Sequence, residues 1–588
     1  MSKAEMLHLK TSTLFNDSMD RSHYENSREK RDLFYSSIGS YLKHCVKPVL
    51  QCGTDGYRSY SGICNNVRNH KWGAVHSCLL RLLPANYEDG VAKPVKLAPP
   101  STISAKLRHL GRAGNSTNSV TNFFFAFGQF LAHDITNSVT SDIIGSDCCE
   151  SSGESQDQCE MRLDVSSDPF FKRHNVTCIN FIRGARCPCK SGPRDQMNGA
   201  TSFIDLSQVY GNDGLLSDYL KDTEEPYLLK TERGDELPLG GKDCVSTLCF
   251  FGGDHRINQQ AALTAMHTLF LRNHNFLARK LRELNPTWSA FKVFEEARKI
   301  SIAQFQVVFL KEFLPLLLGF ELLDRHGMCF ETFLRRASVY DDNLEPGMFN
   351  EFVTAAFRLH TMIPERLGRL PYKFFDVDEY LREDGRPGDH CSSVLQNLIH
   401  SRGKTPEFPA SNVVSRHIYD TDGDFGLDLV AINIQRGRDH GLRPYVDYLA
   451  AMRNISVTKF DDLIPLMGDE APLILQSAYA DVADVDLFVG GHLEKKQHGL
   501  LGSLVAEICV TQFKRIIEAD RFFVTHRNFF YKEQFEALMR STSADILCTN
   551  TELKEVPTNA FKMGSEAVIC SERSGLNLEL WRDHYTQI

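Results

Sequence analysis

The stretch FFFAFGQFLAHDIT, Phe123 to Thr136, is apolar enough for a buried helix, yet it carries Gln129, His133 and Asp134 in its second half. Residues four apart stand one above the other on a helix, so Gln129 and His133 share a face and can line one pocket. Asp134 points about a third of a turn away. Buried without a partner, its carboxylate would cost several kcal/mol, so it requires a cation or a set of donors. The same pattern also describes a core histidine satisfied by its neighbours, and the rest of the chain has to decide.

Outward from this stretch, helical periodicity dominates. In LTAMHTLFLRNHNFLARKLREL the apolar residues Leu263, Met266, Phe270, Leu277 and Leu281 recur at helical spacing. FNEFVTAAFRLHTMI repeats the pattern through Phe349, Phe352, Ala356 and His360, with Pro364 ending that helix soon afterwards. Strand patterns are few and short. Gly-, Pro-, Ser- and Asp-rich loops interrupt the helices without forming a convincing linker, and no internal repeat is visible. The expectation is a mainly α-helical chain with one large domain.

With 588 residues and a formal charge of -9, the chain can bury a sizeable core and has no basic footprint for nucleic acid. No run of about 18 apolar residues offers a membrane span. Seventeen cysteines, several of them close neighbours (Cys148 with Cys149, Cys187 with Cys189), read as disulfides and a secreted history. Zinc at Cys187 and Cys189 is the weaker alternative, because no second ligand pair stands at a finger or ribbon spacing. Asn-x-Ser/Thr acceptors at Asn16, Asn115, Asn175 and Asn454 suit secretion and glycosylation. The first residues show no apolar leader or cleavage site. Arg28 to Arg31 resembles a dibasic processing site, which makes 1–31 a candidate propeptide and 32–588 the domain.

Four further segments bear on His133. GGDHRINQQAALTAMHTLFLRNHNFLA places Arg256 just before a long helix, FVTAAFRLHTMIPERL places His360 in an apolar one, LVAINIQRGRDHGL offers Asn433 and Arg436, and ATSFIDLSQVYG follows a cysteine-rich loop. With YRSYSGICNN near the start and LNLELWRD at the end, these stand in the order of the animal haem peroxidase family, which the chain resembles from Tyr57 to Trp581.

The resemblance implies haem b held by His360 as axial ligand to iron, with Asn433 fixing the ring tautomer and the opposite face open to hydrogen peroxide. It implies His133 as base and then acid, Arg256 as stabiliser of the charge on the breaking O–O bond, and Gln129 as the third polar group of that pocket. The activity implied is reduction of peroxide through a ferryl intermediate, with phenolic or tyrosyl donors or halides oxidised. TSFIDLS offers Thr201, the Phe203 carbonyl, Asp205 and Ser207 as alternate oxygen donors, a calcium pattern that the family closes with the acid after the distal histidine, here Asp134. A short strand with alternating polar side chains is the competing reading.

Several positions depart from the family. Ala132 and Gln259 stand where acids form ester links to haem, and Gln260 cannot supply a sulfonium link, so haem is expected to be held non-covalently by His360, packing and arginines. Of the two propionate candidates, Arg436 fits the motif better than Arg358, which is two rather than three residues before the histidine. Leu359 replaces a frequent glycine. Phe357 occupies the position of the radical-forming tyrosine in related fatty-acid dioxygenases, so that chemistry is expected to be absent. An adhesion role through Arg233, Gly234 and Asp235, recognised by an integrin-type receptor, is the alternative function. His267, His274 and His440 read as structural. The disulfides the resemblance suggests are Cys64 with Cys78, Cys244 with Cys249, and Cys548 with Cys570.

Overall fold

The computed structural model describes residues 52, 56–111, 119–140, 148–149, 159–188, 192–232, 236–240, 249–335, 340–367, 370–371, 389–420, 425–526 and 529–583. Residues 1–31, Asn16, Asn115, Cys189, Cys244 and the Arg233 to Asp235 triplet lie outside them. Among the described residues helices dominate, and the strands form four separate two-stranded antiparallel ladders of two or three residues each.

Phe123 to Ile135 fold within α1, Asn122–Ile135, with Thr136 as its C-cap. Its phenylalanines drive its placement: Phe124 stacks on Phe313 at 4.4 Å, Phe127 meets Phe305 at 4.9 Å and Phe130 stacks on Phe270 at 5.3 Å. Each such buried ring contributes roughly 1.5–3 kcal/mol, enough to fix the helix's rotation about its axis. The central helix α2, Ala261–Leu284, is opened by the Gln260 side chain, which accepts from the Ala262 N–H. Around α2 pack α1, α3 (Ala290–Val308), α4 (His390–His400) and, further along the chain, α8 (Ser543–Asn550). A second group comprises α5 (Leu429–Asp439), α6 (Leu487–Leu493) and α7 (Ser503–Ala519). Helix α3 runs on through Leu318 as a 29-residue helical stretch, and 83% of its most apolar window is buried against protein, so its greasiness serves the core.

The segment bearing His360 departs from expectation. It is not one continuous apolar helix: a π-helical turn over Phe352–Ala356 is followed by a break at Phe357 and Arg358 and a 3-10 turn over Leu359–Met362. The π turn packs among α5, α6 and α7, and these surroundings rather than local propensity set its geometry. His360 rides on the 3-10 turn.

Five disulfides join described cysteines: Cys52–Cys64, Cys78–Cys187, Cys148–Cys159, Cys149–Cys178 and Cys548–Cys570. The expected Cys548–Cys570 link is present. The expected Cys64–Cys78 link is not, because Cys64 turns back on Cys52 while the bridge between Cys78 and Met197 carries Cys78 to the loop of Cys187. With Cys187 oxidised, the zinc alternative also falls. Cys249 is disulfide-bonded. Among the described residues, Cys329, Cys391 and Cys509 are free thiols, all buried. Asn175 and Asn454 are exposed on left-handed backbone.

Candidate active site

Every residue of α1 is buried except Gln129 and Ala132. With His133, at 8% exposure, and Thr136, they form one accessible stripe at helical spacing. Burial, reinforced by the Arg256 charge, holds the His133 ring well below its ordinary value, so it is neutral at physiological pH. Its Nδ1 has no hydrogen-bond partner among the described residues.

Arg256 lies on a 3-10 turn, His255–Asn258, capped by Asp254. Its guanidinium grips the Asp254 carboxylate through Nε at 2.8 Å and Nη2 at 2.6 Å, and donates to the Thr136 carbonyl at 3.0 Å and the His133 carbonyl at 3.1 Å. Those carbonyls are the open end of α1, so a cation there satisfies acceptors the helix cannot and complements its dipole. Burial alone would raise the Asp254 carboxyl, but the Arg256 charge overrides it and holds it low. Sequence reasoning missed Asp254. The available signal was an acidic cap two residues before the arginine.

Gln129 sits between two other glutamines. Gln260 donates to its Oε1 at 3.0 Å, and its own Nε2 donates to Gln259 Oε1 at 3.2 Å. Of the two positions where the resemblance places ester-forming acids, Gln259 carries an amide against Gln129 and Ala132 only a methyl group on the stripe.

On the other segment, His360 Nδ1 lies 3.0 Å from Asn433 Nδ2, and Asn433 Oδ1 accepts from Arg358 Nη1 at 2.7 Å. The amide is therefore turned opposite to the expected acceptor role, because Arg358 claims its oxygen. His360 Nε2 has no hydrogen-bond partner among the described residues. Burial and the Arg358 charge push the ring down to about 3, so it is neutral and able to ligate. Among the described residues Arg358 is held by two neutral acceptors, Asn433 and the Val353 carbonyl at 3.0 Å. Among the described residues no carboxylate pairs with it, and burial with the nearby Arg436 lowers it to about 9. Arg436, by contrast, is paired with Asp439 at 3.0 Å and lies over the Phe181 ring at 4.2 Å. Phe357 stacks on Phe352 at 5.0 Å and offers no O–H.

The two segments meet. Helix α1 packs on the 3-10 turn of His360, and Tyr419, raised by burial, is pulled down by both Arg256 and Arg358, so one side chain lies within range of the charges on both.

Below α1, the Asp134 carboxylate accepts from the N–H groups of Asp205 at 3.0 Å, Leu206 at 3.0 Å and Ser207 at 2.7 Å, and from the Ser207 hydroxyl at 3.0 Å. Thr201 donates to Asp205 at 3.0 Å. Thr201, Phe203, Asp205 and Ser207 are all buried beside Asp134, and the segment is a bent loop entering a short helix, not a strand. Burial and the Asp205 charge raise the Asp134 carboxyl well above its ordinary value. Two buried carboxyls forced together in this way suit a cation.

His274 is engaged by Tyr210 at 3.1 Å and the Tyr227 carbonyl at 3.2 Å, while His267 stands edge-on to Phe130 at 5.0 Å; they share no metal geometry. His440 bonds Asn350 at 2.7 Å.

The family model "Animal haem peroxidase" matches residues 57–561. The chain belongs to the animal haem peroxidase family. It is 32% identical to peroxidase skpo-1 of Caenorhabditis elegans over 91% of this chain and 80% of that protein. It is 33% identical to the chorion peroxidase of Drosophila melanogaster over 92% and 73%. Among solved structures, peroxidase A from Dictyostelium discoideum superposes with a TM-score of 0.69 at 24% identity, covering 86% of this chain and 99% of that one. The fatty acid alpha-dioxygenase of Arabidopsis thaliana gives 0.68 at 17% identity, over 90% and 86%. At these identities the structures speak for the fold. The family makes this animal haem peroxidase a haem-dependent oxidoreductase that acts on hydrogen peroxide with a reducing donor.

Proposed function

We propose that haem b lies between the accessible stripe of α1 and the turn of His360, and that the enzyme oxidises phenolic or tyrosyl donors, and halides, at the expense of hydrogen peroxide. The observation that carries this is His360: a neutral, half-buried ring with Nε2 unengaged among the described residues and Nδ1 tied to Asn433, on a turn packed against the helix of His133. The residues fit the group. Arg358, a half-buried cation with no acidic partner among the described residues, matches a haem carboxylate, and Arg436 stands beside it. When bound, haem supplies the redox-active iron.

His133, neutral, takes a proton from peroxide and returns it to the departing oxygen. Arg256 spends four of its N–H groups on Asp254 and the end of α1, which leaves one to face developing negative charge and makes it as much a positioner of the helix as an electrostatic stabiliser. For Nε2 to ligate iron, Nδ1 must carry the proton and need an acceptor. A half-turn of the Asn433 amide supplies it and releases Arg358 toward the haem carboxylate. Calcium among Asp134, Thr201, Phe203, Asp205 and Ser207 ties the loop to α1. The haem is retained without covalent links, since Ala132 and Gln259 provide no carboxylate. The disulfides and exposed glycosylation acceptors support secretion.

The test is the Soret spectrum of haem-loaded protein before and after peroxide, with guaiacol and bromide turnover, in parent and His133→Gln. The variant should keep its Soret band and react with peroxide about 10²–10⁴-fold more slowly. A variant as fast as the parent overturns the assignment.

A further inference from the structure

Side-chain amides are ambiguous about which end is oxygen, but a chain of them anchored at one end to a backbone group is not. Gln260 supplies such an anchor. It is 1% exposed, and its Oε1 accepts from the Ala262 N–H at 2.6 Å. A backbone N–H can only donate, so the Gln260 oxygen must face it and the Gln260 NH₂ must face Gln129 at 3.0 Å. Gln129 then has to offer its oxygen to Gln260 and turn its NH₂ outward, where one N–H reaches Gln259 Oε1 at 3.2 Å. Gln259, its oxygen occupied, turns its own NH₂ away from Gln129. Orientation is thus passed from the first turn of α2 to the accessible stripe of α1 through two side-chain hydrogen bonds.

We propose that Gln260 is a positioning residue that sets the polarity of the pocket beside His133, so that Gln129 and Gln259 present N–H donors and the pocket selects small anions over cations and hydrogen-bond donors. Gln260 itself is buried, with its side chain engaged by Gln129 and the Ala262 N–H. It acts through Gln129. Replacing it by glutamate keeps the cap on Ala262 but offers Gln129 a second acceptor instead of a donor, which turns the Gln129 amide round and points its carbonyl into the pocket. Replacing it by methionine removes the constraint without imposing the opposite one.

The inference rests on the haem position proposed above, and the experiment separates the two. Ferric haem-loaded parent, Gln260→Glu and Gln260→Met are titrated with fluoride at fixed pH, read at the Soret band. A normal ferric Soret band in all three shows the haem reading intact, whatever fluoride does, and its loss from the parent would count against that reading instead. One lost hydrogen bond to a charged partner corresponds to about 10- to 100-fold weaker binding. Gln260→Glu should fall in that range with Gln260→Met between it and the parent, at similar melting temperatures. Fluoride binding by Gln260→Glu within about twofold of the parent overturns the proposal, and so does equal weakening in both variants, which would mark a packing role. If Gln260→Glu does not load haem, Gln260→Met decides alone: weakening of about threefold or more supports the relay, and unchanged affinity refutes it.

Discussion

Replacing Arg358 by methionine should leave the haem-free protein at least as stable as the parent while loosening its hold on haem. A guanidinium brought into a buried site without a carboxylate costs free energy that a carboxylate-bearing ligand recovers. Burial and the Arg436 charge take Arg358 from its ordinary, always-charged range down to about 9. Because the folded value lies below the unfolded one, the charged form is the disfavoured one. The penalty is present in full below about pH 9 and fades as pH rises above it toward the unfolded value. At about 1.4 kcal/mol per decade it amounts to about 5 kcal/mol at most. Partial solvent access to the side chain reduces this to about 2 kcal/mol. Against it stand the bonds to Val353 and Asn433, at about 1 kcal/mol each. The haem-free variant should therefore match the parent or exceed it by up to about 2 kcal/mol in urea unfolding. Haem should dissociate from it at least about tenfold faster, a loss of about 1.4 kcal/mol or more, measured by transfer to an excess of a haem-scavenging apoprotein. A haem-free variant destabilised by more than about 2 kcal/mol, or haem released at the parent's rate, would refute the reasoning.

Two further outcomes are expected. Asp134 has a raised carboxyl, so without a cation its ionisation destabilises the fold increasingly as pH rises above the unfolded value of 3.8; the gap in melting temperature between calcium-loaded and chelator-treated protein should widen from pH 4 toward neutrality, and a pH-independent gap would count against calcium at this site. Haem should pass intact into acidified organic solvent, and haem that stays with the chain on a denaturing gel would show that a covalent bond forms despite Ala132 and Gln259.

Much of this was legible in the residues because helical spacing is a local property. Gln129 and His133 were placed on one face by counting, and Asp134's need for partners followed from the cost of burial; the partners turned out to be the three N–H groups and hydroxyl of the Thr201 to Ser207 loop. The break before His360 was not legible, since the same apolar periodicity serves an α-helix and a π turn, and the packing of α5, α6 and α7 decides between them. Nor could spacing reveal that Cys78 pairs across 109 residues with Cys187, or that Asn433 serves Arg358 as well as His360. The propionate candidates also shift in weight. The motif favoured Arg436, while the structure leaves Arg358 without an acidic partner among the described residues and pairs Arg436 with Asp439.

An enzyme that consumes peroxide is bathed in an oxidant of its own thiols. Cys391 and Cys509 are sealed in the interior, Cys329 lies buried nearer the surface, and burial raises all three thiols, so few thiolates form and little reagent reaches them. Against these three native sulfurs, a cysteine introduced on the surface would react first with a dye or an electrode linker as long as the fold holds.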